Sequence, residues 1–190
     1  MRPWLAIVPA LLLAGCLAPG VSETSRAWQL PRSEHAGPPV KVFLPSELRT
    51  PRVVAADTSG ARVERDLDRW ESPLPAALGD LISAALPDDA GIRSVVVEFR
   101  SLRVDARGGL SLSADYRLTL RRGAEGSEFP LSGTLSHAVA EQAGEGERER
   151  ILAAYADAAR AVGTHLADIL ANEANGEVAK PAPAVTVPGK

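Results

Sequence analysis

Apolar and polar residues alternate with period two over three long stretches of this chain, and recur with helical period over two others. Ser94–Asp105 sets Val95, Val97 and Phe99 on one face and Val96 on the other. Leu110–Arg121 is the cleanest two-faced strand: Leu110, Leu112, Ala114, Tyr116, Leu118 and Leu120 alternate with Ser111, Ser113, Asp115, Arg117 and Thr119. Phe129–Val139 is the third. Gly108-Gly109 reads as a hairpin turn and Gly123–Ser127 as a loop, so the three form an antiparallel meander. Shorter strands come earlier. Val40–Leu44 alternates up to Pro45, and Arg52–Ala56 follows Pro51. Arg62–Leu67 is charged and weakly alternating, which suits an edge that must not pair with strangers. Trp28-Gln29-Leu30 reads as a short first strand or docking segment.

The helical period appears first after Ser72-Pro73. Ser72 is the expected N-cap, and Pro73 sits at the first helical position, where its missing N–H costs nothing. Leu74, Leu78, Leu81 and Ala85 make the stripe, and Pro87-Asp88-Asp89 stops it. A longer helix runs from Glu147 to about Ala171 on the stripe Ile151, Tyr155, Ala158, Val162, Leu166 and Ile169. Glu147 and Glu149 in its first turn suit the helix dipole. The expected fold is α+β: a two-layer sandwich, mainly antiparallel sheet, with two helices packed on one face. The opposite sheet face carries Ser, Asp, Arg and Thr and should meet water or a polar partner.

The first sixteen residues carry a different pattern. Arg2 precedes an apolar run from Leu5 to Leu13, then come Ala14, Gly15 and Cys16, the one cysteine of the chain. A run of this length is too short to span a bilayer, which takes about 20 residues, and fits a secretory h-region. Leu13-Ala14-Gly15-Cys16 resembles the lipobox of bacterial lipoproteins. The resemblance implies diacylglycerol on the Cys16 sulfur, cleavage between Gly15 and Cys16, and an N-acyl chain on the new amino group. Multiple chains anchor stably where one does not. Leu17 stands where an Asp would suggest inner-membrane retention, so the periplasmic face of the outer membrane is the expected address. The organisation read from the chain is a signal peptide over 1–15, an anchor and tether over 16–39, a domain over 40–171 and a disordered tail over 172–190. The tether could span about 25–30 Å as a flexible coil.

Composition narrows the function classes. Loss of the signal takes the formal charge from −3 to −4. That offers no basic field for nucleic acid and no polybasic patch for anionic lipid. With a single cysteine there is no disulfide framework. The sequence carries no recognisable constellation of catalytic residues or metal ligands. His35 lies in the tether and His137 at a strand end. His165 and Asp168 share a helix face at i and i+3, which reads as a solvated polar face rather than a metal site. No G-x-S-x-G elbow, phosphate loop or apolar carboxylate pair is present. The expectation is a non-enzyme without cofactors beyond the acyl chains on Cys16.

Leu44-Pro45-x-x-Leu48-x-x-Pro51-x-Val53-Val54, followed by Arg69-Trp70-Glu71-Ser72-Pro73-Leu74, resembles the ABC-type transport auxiliary lipoproteins, the PqiC-type group. The resemblance covers about Trp28 to Ala171. Arg49-Thr50 departs from the usual acidic-basic pair, and Tyr116 stands where Trp is frequent. The resemblance implies an auxiliary lipoprotein of an MCE-type lipid transport system that binds the MCE-domain protein, and it leaves a homo-oligomer open. Trp70, Pro73 and Leu74 are the candidate partner-binding residues, with core packing the competing reading of Trp70. Two other readings stand beside it: a lipid carrier with its own cavity, and an outer-membrane activator of peptidoglycan synthases.

Overall fold

A computed structural model describes residues 25–34, 37–88, 91–122, 126–142 and 144–174. Gly15, Cys16, the rest of the expected signal, the expected tether up to 24, His35 and the residues beyond 174 lie outside the described residues. The chain order is β1 (Arg26–Trp28), β2 (Val40–Phe43), a 3-10 turn (Ser46–Leu48), β3 (Arg52–Ala56), β4 (Arg62–Trp70), α1 (Leu74–Ala84), β5 (Ile92–Val104), β6 (Leu110–Arg122), β7 (Ser127–Val139) and α2 (Glu147–Ala174).

The α+β class holds, and both helices pack together on one side of the larger sheet. The single sheet divides in two, however. A four-stranded sheet runs β2-β5-β6-β7 and a three-stranded one runs β1-β4-β3. The meander β5-β6-β7 is antiparallel as expected. The two short pairings β1–β4 and β2–β5 are parallel. Consecutive segments cannot make such pairs, since a parallel connection needs a crossover. The sheets touch at one bridge, Ala56 to Asp105, where the Ala106 amide also donates to the Ala56 carbonyl at 2.8 Å.

β4 is not an edge strand throughout, as its charges suggested. It is central in the small sheet, but β1 covers only Asp68–Trp70. Its charged half, Arg62–Asp66, keeps one open side, and that is where the edge logic applies. The boundary at Pro39 also moves. β1 precedes it, and Trp28 and Leu30 belong to the core at 2% and 4% exposure. The first helix begins one residue later than expected. Pro73 occupies the capping position without any side-chain cap, and Pro75 is the second helical residue. Both prolines fit where no amide need donate.

The core lies between the sheets and helices. Leu78, Ile82, Val97, Leu118, Ile151 and Leu166 are among its most buried members. Gly163 of α2 lets the helices close: a Cβ there would lie 2.6 Å from that of Ala85.

Candidate functional site

Trp70, the first candidate partner residue, ends β4 and is buried at 9% exposure. Its ring meets Trp28 edge-on at 6.3 Å and Tyr155 at 5.2 Å. This aromatic stack joins the start of the fold, the end of β4 and α2. The Tyr155 hydroxyl donates to the Val54 carbonyl at 2.8 Å, and burial pushes its phenol well above the usual range. Core packing is therefore where Trp70 goes. Leu74, the second candidate, is buried at 2% exposure. Of the three, only Pro73 is exposed.

Two recesses flank that proline. One, of about 750 Å³, lies between the segment following β1 and the outer side of α1, with Trp28, Leu30, Arg32, Pro39, Ala76 and Asp80 among its walls. The other, of about 460 Å³, is mostly apolar and includes Leu48, Pro51, Trp70, Leu74 and Pro75. The Ser72-Pro73 corner thus projects between two hollows that share Trp70 of the aromatic stack as a wall. Pro and Trp walls of this kind suit an extended or proline-bearing segment better than a charged small molecule.

The first turn of α2 holds β1. Arg148 donates to the Ala27 carbonyl at 2.9 Å, and its guanidinium lies 5.4 Å from the Trp28 ring centre. Arg65 lies 5.7 Å from the same ring and pairs with Glu147 and, at 3.6 Å, with Asp68. Asp68 is buried at 4% exposure and also faces Arg26 at 3.6 Å. Trp28 Nε1, Arg65 Nε and Asp68 Oδ1 have no hydrogen-bond partner. Such a buried charge is retained only while its partners stay in place.

Of the solvated face expected of His165 and Asp168, only Asp168 is exposed. His165 is half-buried against the sheet, 5.3 Å from Tyr116. Burial holds its imidazole below the ordinary value, with Asp168 pulling the other way. The apolar stripe of α2 is broad enough to draw this residue inward, since Val162 and Leu166 beside it on the helix are buried. His137 meets Asp157 of α2 at 3.4 Å. Among the described residues no group of three His, Cys, Asp or Glu could hold a metal ion, and no helix is long and apolar enough to cross a membrane.

Arg65, Arg148 and Tyr155, which lock the fold's first strand, were not legible in the sequence as functional residues. Tyr155 was legible only as part of an apolar stripe. The arginines carried no signal, since their partner Trp28 is distant in sequence.

Comparison with known proteins bears on the fold. No family model matches the chain, and no curated protein matches it significantly. Solved structures do. One uncharacterized protein is similar with TM-score 0.56 and 17% identity, over 77% of this chain and 99% of its own. A Xanthomonas campestris protein described under the family DUF330 is similar with TM-score 0.50 and 16% identity, over 80% of this chain and 99% of its own. At that identity the likeness is one of fold, and it extends over essentially the whole of both neighbours.

Proposed function

We propose that the chain is a lipid-anchored envelope protein, held by Cys16 at the periplasmic face of the outer membrane. There it serves as a binding component of an MCE-type lipid transport system. The observation that carries this reading is the order Leu13-Ala14-Gly15-Cys16, a Pro/Gly/Ser-rich tether, then the Pro45–Pro51 and Trp70–Leu74 signatures. The fold supports it by giving the tether a firm point of attachment, Trp28, beside an exposed corner at Pro73. A tethered domain gains effective concentration toward a partner within its reach. Trp70 and Leu74 then shape the corner from beneath, and Pro73 is the residue a partner would touch. In this reading the protein needs no catalytic group.

Copurification from envelopes tests the partner. The expected result is recovery of an MCE-domain protein with the wild-type chain, weakened by Pro73→Asp and lost when Cys16→Ala leaves the domain unanchored. Recovery of a peptidoglycan synthase instead would replace the reading. A stoichiometric lipid in native mass spectra of the gently extracted protein would favour the carrier alternative.

A further inference from the structure

β7 is the outer strand of the large sheet, and among the described residues nothing pairs with its free edge. It is 13 residues long, about 43 Å at the usual rise per residue. Long open edges are normally blunted by charge, proline or bulges. Here Glu128 and Pro130 protect one end only, and Leu131–Val139 carries no Asp, Glu, Lys, Arg or Pro. The side chains divide cleanly. Phe129, Leu131, Leu135 and Val139 face the helix layer but are only partly buried. Ser132, Thr134 and Ser136 on the open face are exposed.

We infer that β7 is the seam of a two-fold dimer, in which a second copy of the chain pairs its own β7 antiparallel about Gly133. The strand is self-complementary in that register. On the helix side Leu131 meets the copy's Leu135, and Phe129 meets its His137. On the open side Ser132 meets Thr134, Pro130 meets Ser136 and Glu128 meets Ala138. No like charges face one another, and apolar residues meet across the seam on the side where they are half exposed. Gly133 at the axis has a further consequence. A Cβ there would lie 2.2 Å from the Tyr116 hydroxyl, so Tyr116 lies across the strand toward the seam. Pro130 removes one donor per copy from the new ladder and suits an outer strand of β6–β7. The result is one eight-stranded sheet with both α2 helices on the same side.

The dimer is tested on the full chain, co-expressed in two tagged forms. One carries Ser132→Cys and the other Thr134→Cys, which this register sets directly opposite, within disulfide reach. Mild oxidation should join the two tags, while Ser132→Cys with Ala138→Cys, four residues out of register, should not. The parent chain with only Cys16 should give no such band. Sedimentation in mild detergent should show a dimer for the wild type, and Ser132→Lys with Thr134→Lys should remove it. Both residues are exposed, so an unchanged melting curve certifies the fold. A wild-type monomer at every concentration overturns the inference. So does a closed ring of more copies, disulfide formation indifferent to register, or capture of a different protein at position 132. None of these outcomes depends on the anchor or on a transport partner.

Discussion

Replacing Tyr155 by Phe removes one oxygen from the centre of the molecule and leaves the ring where it is. The hydroxyl donates to the Val54 carbonyl at 2.8 Å, on the strand that closes the small sheet, and the residue is 1% exposed. Its loss leaves a buried carbonyl unpaired, which costs about 1–3 kcal/mol. For a chain of this size that lowers the melting temperature by about 2–4 °C per kcal/mol. The alkaline side gives a second, independent reading. Burial raises the Tyr155 phenol in the folded state, while in the unfolded chain it ionises near the ordinary value of about 10. A raised acid favours the folded state fully below the unfolded value, and that contribution is lost as pH rises past it. At pH 11 the unfolded wild type gains about 1.4 kcal/mol from ionising this group, and the Phe variant gains nothing. Urea titrations at pH 8 and pH 11 should therefore show the gap between variant and wild type narrowing by about 1.4 kcal/mol. A gap that stays constant across that range would falsify the buried, bonded hydroxyl, whatever its size at pH 8.

Trp28→Ala should destabilise by about 3–5 kcal/mol and expose residues 26–34 to limited proteolysis; equal cleavage of variant and wild type would show that the first strand is not held by its indole. Gly133→Ala forces a Cβ against the Tyr116 hydroxyl and should cost about 1–3 kcal/mol by denaturant unfolding, recovered in part by adding Tyr116→Ala; no recovery would separate the two residues. His165, with its imidazole held below the ordinary value, contributes stability that is present above about pH 6.5 and lost as pH falls through its folded value. Ring-proton NMR should place its titration below 6.5, and His165→Phe should flatten the acid side of the stability curve; a steeper curve would contradict its burial.

The meander was legible because each strand reads as two faces, and a period of two tolerates no slip. Leu110–Leu120 could scarcely be anything else. The parallel pairs were not legible. Val40 aligns with Val95, and Arg26 with Asp68, and no local pattern names a partner so far along the chain. For the same reason one sheet was expected where two exist. Ser72 looked like a cap by residue type, but the two prolines after it set the backbone and the helix starts without one. His165 was judged by its neighbour Asp168, whereas its position was decided by the width of the α2 stripe and by Tyr116 opposite. At the Trp70 corner the residue type was informative and its direction was not: both large side chains turn inward and leave a proline outside.

The three-residue strand β1 also defines how the molecule bears load. Any pull arriving from the N-terminal side reaches Arg26 first. Because β1 lies parallel alongside the last residues of β4, tension along it shears its hydrogen bonds together instead of peeling them singly. Behind them stand the indole of Trp28 in the core, the Arg148 grip on Ala27 and the Glu71 amide donating to the Trp28 carbonyl at 2.9 Å. Force is thus handed within a few residues to the stack that joins β4 and α2. The fold has its strain relief at the place where a cable would be attached.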